Sequence, residues 1–172
     1  MIISDSSPLI ALAKIGRFKL LRDLFKGIYI SKAVHREVVV HGKEKIGEKE
    51  VTQGIKKGWI KVLEVREREP YALLLGEGEG ETIALAKERR ARVVIMDNRK
   101  GYILAKTLGI TVIGTLGVIL LAYKSGMISN MRDELDNLRE NGFWFSDRLY
   151  RELIKYESDP EYSEKNENKG DI

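Results

Sequence analysis

The sequence has 172 residues, of which 43% are hydrophobic, and we predict a single domain over residues 1–156 with an acidic, disordered tail over residues 157–172. The absence of cysteine excludes disulfides and thiolate zinc sites, and with only two histidines a histidine-built zinc site is not expected. No apolar run reaches the roughly 18 residues that cross a bilayer, so the expected protein is soluble and cytoplasmic, with no membrane partner.

Strands and helices alternate along the chain. Short apolar runs bounded by turn residues predict strands at residues 1–4, 28–30, 59–65, 93–96 and 110–113. Helical spacing of apolar residues predicts helices at residues 9–15, 18–25, 82–90, 102–108, 116–125, 131–141 and 147–156. Shorter helices are expected after Ser31, before Gly58 and over residues 71–75, whereas a loop is expected at residues 41–50. This alternation predicts an α/β fold with a central parallel sheet and right-handed crossovers.

An alternating glycine and glutamate segment occupies residues 76–81. It lacks the GK[ST] ending of a phosphate-binding loop, and its carboxylates would repel phosphate. We therefore predict a flexible segment that leads into the helix at residue 82.

Two aspartates follow predicted strands directly. Asp5 comes after the first strand and Asp97 after the fourth. In an open parallel sheet, ligands bind beyond the carboxyl ends of the strands, so both carboxylates are expected at that edge. Oxygen ligands of this kind suit Mg²⁺ or Mn²⁺, which indicates metal-dependent phosphodiester cleavage. The alternative interpretation of each aspartate is an N-cap of the next helix.

Three glutamates are further candidates. Glu37 lies on a short helix, where the alternative is a solvent-exposed side chain. Glu79 and Glu81 are two residues apart and would face different ways on a helix, so only one is expected in a shared site. We assign Glu81 to the site and give Glu79 a supporting role or a favourable interaction with the helix dipole.

The charge is unevenly distributed. Residues 157–172 carry six acids and two lysines, a net −4, which leaves +8 on residues 1–156 out of the total of +4. A basic body around a cluster of acids suits a nuclease, although surplus lysine also serves solubility. Six basic residues that flank the last two acidic motifs are candidate phosphate contacts: Lys87, Arg89, Arg90, Arg92, Arg99 and Lys100.

Four short segments together resemble the motifs of PIN domains. Residues 3–12 resemble the opening strand, aspartate and hydroxyl residues of that family, and residues 34–38, 78–86 and 95–99 resemble its second, third and fourth acidic motifs. Residues 109–118 further resemble a prokaryotic subgroup close to VapC-type toxins. The resemblance covers residues 1–150.

The resemblance implies a three-layer α/β/α sandwich and a Mg²⁺- or Mn²⁺-dependent endoribonuclease. RNA would be the substrate, and the chain would form a homodimer and act as the toxin of a toxin-antitoxin pair, with an antitoxin protein as partner. The implied catalytic residues are Asp5, Glu37, Glu81 and Asp97. Of these, Asp5, Glu81 and Asp97 would bind the metal, with Ser6, Glu79 and Asn98 in support.

Departures and alternatives bear on this assignment. Ser7 stands where many of these toxins have asparagine, and Glu81 where many have aspartate. One alternative is a catalytically weak or inactive module that binds nucleic acid or protein. A phosphotransfer domain is disfavoured because position 7 is serine where a phosphatase needs aspartate. A nucleotide-binding domain is disfavoured because no glycine-rich turn follows the first strand.

Overall fold

Five short parallel strands form one sheet in residues 1–66 and 71–158, the part of the chain that the structure, a computed structural model, describes. The strands are β1 (Ile2–Ser4), β2 (Ile28–Ser31), β3 (Ile60–Leu63), β4 (Val93–Ile95) and β5 (Thr111–Ile113). Their order in the sheet is β3-β2-β1-β4-β5. Ile3 pairs with Tyr29 of β2 on one side and with Val94 of β4 on the other, so β1 is the central strand.

Ten α-helices accompany these strands in the same described residues. They are α1 (Ser6–Lys14), α2 (Lys19–Phe25), α3 (Lys32–His35), α4 (Glu48–Lys56), α5 (Tyr71–Leu74), α6 (Glu77–Glu88), α7 (Arg99–Thr107), α8 (Thr115–Lys124), α9 (Met131–Glu140) and α10 (Asp147–Ser158). Helix α3 continues into one π-helical turn, Arg36–Val40. This turn coincides with three consecutive valines, whose β-branched side chains crowd a regular α-helix.

The chain reverses its direction across the sheet at β1. From β1 it winds outward through β2 to β3, then returns to the other side of β1 for β4 and β5. Because parallel crossovers are right-handed, this reversal places helices on both faces of the sheet. On one face, Ile83 and Leu85 of α6 and Ala105 of α7 share a buried cluster with Ile3 and Val94. The predicted three-layer α/β/α fold is confirmed.

The chain divides into two compact units, Met1–Thr115 and Leu116–Ile172. Within the second unit, the Arg139 guanidinium lies 4.7 Å from the Phe145 ring centroid and 4.6 Å from that of Tyr150. The tail prediction falls mostly on residues 159–172, which lie outside the described residues. Among the helices that are described, none has the length and apolarity to cross a membrane.

The prediction of a flexible segment at residues 76–81 is wrong, because α6 already begins at Glu77. Its glycines allow close packing: a Cβ on Gly80 would lie 2.6 Å from the backbone nitrogen of Ala72 in α5. Helix α4 likewise begins at Glu48, inside the predicted loop at residues 41–50. Acidic residues in the first turn of each helix interact favourably with the helix dipole. From composition alone, a helix that begins with such acidic residues cannot be distinguished from a charged loop.

Candidate functional site

A cavity of about 540 Å³ opens at the carboxyl edge of the sheet. Its lining includes four carboxylates from three separate parts of the chain: Asp5, Glu37, Glu77 and Glu79. Arg36 and His41 also line it. Four acids against one arginine give this cavity a net negative charge when the acids are ionised, which suits a cation.

Asp5 occupies the turn between β1 and α1. Its extended backbone and its N–H, which donates to the carbonyl of Ile95 at 2.9 Å, fix it at the junction of β1 and β4. The Ser7 hydroxyl donates to Asp5 Oδ2 at 3.4 Å. Asp5 Oδ1 is buried and has no hydrogen-bond partner. A buried oxygen of this kind is destabilising unless a ligand satisfies it.

Burial raises the pKa of Asp5 from 3.8 to about 7. A hydrogen bond from the Ser6 backbone N–H opposes this effect, whereas the negative charges of Glu79 and Glu37 raise the pKa of Asp5 further. The carboxyl group therefore titrates near neutrality, and a bound cation would favour its ionised form.

Glu37 approaches Asp5 across Gly78. A Cβ on Gly78 would lie 2.8 Å from Glu37 Oε2 and 3.6 Å from Asp5 Oδ1. The two carboxylates therefore flank the backbone of the first turn of α6, and the missing side chain leaves the space between them open. Glu37 itself is exposed on the π-helical turn.

Glu79 and Glu81 have different surroundings. Glu79 lines the cavity, and its Oε2 accepts the N–H of Gly76 at 3.3 Å, at the start of α6. Glu81 Oε2 accepts the N–H of Ala33 at 2.8 Å, and the Glu81 side chain is only 14% exposed. Glu81 thus anchors the first turn of α3 and is not among the residues that line the cavity.

Asp97 is held by the start of α8. Asp97 Oδ1 accepts the backbone N–H of Thr115 and Oδ2 accepts its hydroxyl, each at 2.7 Å. Burial raises the pKa of Asp97, and both bonds from Thr115 oppose that rise. Asp97 does not line the cavity. Asn98 caps α7 by accepting the N–H of Gly101 at 3.0 Å.

The predicted residues therefore divide into two groups. The structure brings Asp5, Ser6, Glu37 and Glu79 together at the cavity, whereas Glu81 and Asp97 accept backbone N–H groups at the starts of α3 and α8. In residues 1–66 and 71–158, no group of three or more histidine, aspartate or glutamate side chains lies close enough together to hold a metal ion. Mg²⁺ is commonly held by one or two carboxylates together with water and phosphate, so the donor chemistry at Asp5 and Glu37 still fits it.

The six predicted phosphate contacts are also divided. Arg99 and Lys100 begin α7, next to Asp97. The other four lie at the end of α6 or just before β4, and the N–H of Arg92 donates to the carbonyl of Met1 at 2.9 Å. Since β1 and β4 both begin there, Lys87, Arg89, Arg90 and Arg92 lie toward the amino edge of the sheet, away from the cavity.

The sequence prediction missed Arg36 and Glu77. Arg36 Nη2 lies 2.6 Å from Glu77 Oε1 and 3.8 Å from Glu81 Oε1. The Arg36 side chain is therefore held over the cavity by α6. The one signal for Arg36 in the sequence was its position next to Glu37. Its ion pair with Glu77 could not be predicted, because the two residues are 41 positions apart in the sequence.

Alanine substitutions at the two glycines of α6 compare a position that faces the cavity, Gly78, with a position that packs against α5, Gly80. Gly78→Ala is expected to change the free energy of unfolding by less than about 1 kcal/mol, because the mobile end of Glu37 can move aside. Gly80→Ala is expected to lower it by roughly 1–3 kcal/mol, because its Cβ meets the backbone of α5. Urea denaturation measures both values, and equal losses would contradict this account.

The PIN-domain family model DUF3368 matches residues 1–158. No curated protein and no solved structure matches the chain significantly.

Proposed function

Since this chain belongs to the PIN-domain family, whose members are generally nucleases, we propose that it is a metal-dependent endoribonuclease of the VapC-like subgroup. The single observation that carries this proposal is the buried, unpaired Oδ1 of Asp5 beside the carboxylates of Glu37 and Glu79. This donor set is built only of oxygen, which suits Mg²⁺ or Mn²⁺.

Asp5 and Glu37 would hold the cation, and Glu79 lies close enough to raise the pKa of Asp5 electrostatically. A bound Mg²⁺ or Mn²⁺ supplies an activated water and stabilises the charge that develops at phosphorus. Arg36, which is 38% exposed and lines the cavity, is positioned to bind a phosphate oxygen. Ser7 and the backbone of Ser6 orient the Asp5 carboxylate by hydrogen bonds.

Glu81 and Asp97 have positioning roles in this proposal. Glu81 holds the start of α3, which leads to the cavity residues Arg36 and Glu37, and Asp97 holds Thr115, the first residue of α8. RNA is the proposed substrate, and an antitoxin protein and a second copy of the chain are the proposed partners.

The decisive experiment incubates labelled single-stranded RNA with the full chain, with and without Mn²⁺ or Mg²⁺. Metal-dependent cleavage is expected, and Asp5→Asn is expected to reduce it roughly 100-fold or more by removing a ligand charge. Asp97→Asn is measured in parallel. Asp133→Asn, an exposed aspartate on α9, serves as the matched control and should retain activity.

A second candidate function, a binding module without turnover, is favoured by one observation. Both oxygens of Asp97 and one oxygen of Glu81 are engaged in bonds to backbone or hydroxyl groups, so two of the four acids of the family motifs already have structural roles. Binding of Mn²⁺ and RNA without cleavage across several RNA substrates would support this alternative over the nuclease.

A further inference from the structure

A basic and aromatic surface lies at the amino edge of the sheet, opposite the candidate site. Two cavities, of about 250 Å³ and about 410 Å³, share one lining residue, Trp59. Trp59 directly precedes β3, and the larger cavity is also lined by Met1 and Ile2 at the start of β1 and by Gly27, just before β2. We call the lining of these two cavities the Trp59 surface.

The Trp59 surface is opposite in charge to the candidate site. Its lining contains five basic residues and one carboxylate, that of Glu50. The basic residues are Lys19, Arg22, Lys26, Lys57 and Lys61. The candidate site, in contrast, has four carboxylates and one arginine. A polyanion is therefore attracted to the Trp59 surface and repelled from the candidate site unless cations are bound there.

The Trp59 ring is held in place from two sides and is partly exposed. Its centroid lies 5.6 Å from that of Phe18, in a tilted arrangement. A Cβ on Gly54 would lie 3.0 Å from Trp59 Cζ2, so the edge of the indole packs directly against helix α4. Phe25 and Tyr29 line the larger cavity beside it. Proteins that bind single-stranded nucleic acids combine an aromatic ring, on which a base stacks, with basic residues around it that contact the phosphates.

We infer that the Trp59 surface binds a single-stranded segment of RNA, with a base stacked at Trp59 and phosphates contacted by Lys57 and Lys61. This inference rests on the proposed function for the choice of RNA, but it assigns a surface that is separate from the cleavage site. It also gives a role to five basic residues that lie away from the acidic candidate site.

The test uses the intrinsic fluorescence of Trp59. The chain has two tryptophans, and Trp144 is 86% exposed, so Trp144→Phe leaves Trp59 as the one reporter. The full chain with Trp144→Phe and Asp5→Asn is titrated with a single-stranded oligoribonucleotide in EDTA, which prevents metal-dependent cleavage. Saturable quenching of Trp59 emission is expected because the base stacks on the indole.

Charge variants test the binding of phosphate. Lys57→Glu and Lys61→Glu are each expected to weaken binding roughly threefold or more, and to reduce the steepness of the salt dependence by about 0.7 for each phosphate that is no longer neutralised. Lys106→Glu makes the same charge change on an exposed lysine at the end of α7. Helix α7 packs beside β5, at the opposite end of the strand order from β3, so this variant should leave the affinity unchanged.

Three outcomes would overturn the inference. They are unchanged Trp59 emission at saturating RNA, equal effects of Lys57→Glu and Lys106→Glu, and quenching by inorganic polyphosphate equal to that by RNA. Failure of the proposed function gives a different result. If RNA quenches Trp59 emission but the wild-type protein cleaves no RNA, the nuclease proposal fails and the Trp59 surface remains an RNA-binding surface. Metal-dependent cleavage without quenching overturns only this inference.

Discussion

In metal-free buffer at pH 8, the Asp5→Asn variant is expected to have a free energy of unfolding up to roughly 4 kcal/mol higher than that of wild type. The reason is the burial of Asp5, which is 1% exposed and has a pKa raised from 3.8 to about 7. At pH 8 the wild-type protein must keep a desolvated charge in its folded state, beside the charges of Glu37 and Glu79. Asparagine has nearly the same shape and carries no charge.

The sign of this effect follows from proton binding. Between about pH 4 and pH 7, folded wild type holds a proton on Asp5 that the unfolded chain has released, so its stability falls as the pH rises. Below about pH 4 the carboxyl group is protonated in both states, and the two proteins should be nearly equally stable. The raised pKa of Asp97 also makes the free energy of unfolding fall as the pH rises, but this contribution is the same in wild type and in Asp5→Asn.

Urea denaturation in EDTA at intervals from pH 4 to pH 8 measures this difference, with Asp133→Asn as the control for removing an exposed aspartate. Addition of Mn²⁺ should then stabilise wild type by about 2.7 kcal/mol at one hundred times its dissociation constant. The same addition should leave Asp5→Asn unchanged. An Asp5→Asn variant less stable than wild type at pH 8 would refute the electrostatic account of the site.

Asp5 was predictable from sequence because its position depends on a local rule. A polar residue directly after a buried strand lies at the carboxyl edge, and β1 lies where the strand order reverses. The same rule placed Asp97 near that edge, but it could not predict that Thr115 would bond both of its oxygens. That contact joins the ends of two strand-to-helix turns, so it depends on tertiary structure.

The choice between Glu79 and Glu81 was not accessible from sequence, because it depends on where α6 begins. With a start at residue 82, Glu79 would precede the helix; the helix in fact starts at Glu77 and turns Glu79 to the cavity.

Four of the six predicted phosphate contacts were adjacent to acidic motifs in sequence only. Helix α6 carries the chain across the sheet before β4, so residues near its end lie at the opposite edge from those near its start.

Substitution of Glu79 and of Glu81 by glutamine is expected to distinguish a residue that lines the cavity from a residue that positions other cavity residues. Glu79→Gln should reduce metal-dependent cleavage by roughly 10- to 100-fold, because it removes a charge beside the cation. Its folding stability should be kept or improved, since a neutral side chain no longer repels Asp5. Glu81→Gln should retain most activity, because the amide oxygen can still accept the N–H of Ala33.

Glu81→Ala completes the comparison, because it removes that acceptor. The buried N–H of Ala33 then loses its bond to a charged partner, and the expected loss of stability is roughly 1.5–3 kcal/mol. Cleavage assays and urea denaturation on the same three preparations measure both effects. If Glu81→Gln were fully folded but as inactive as Asp5→Asn, Glu81 would have to bind the metal in the active protein, as the family motif implies. Such a result would place Glu81 Oε1, the oxygen that does not bond to Ala33, on the cation. The alternative is that the Ala33 bond breaks and the start of α3 shifts, together with Arg36 and Glu37 on the π-helical turn that follows α3.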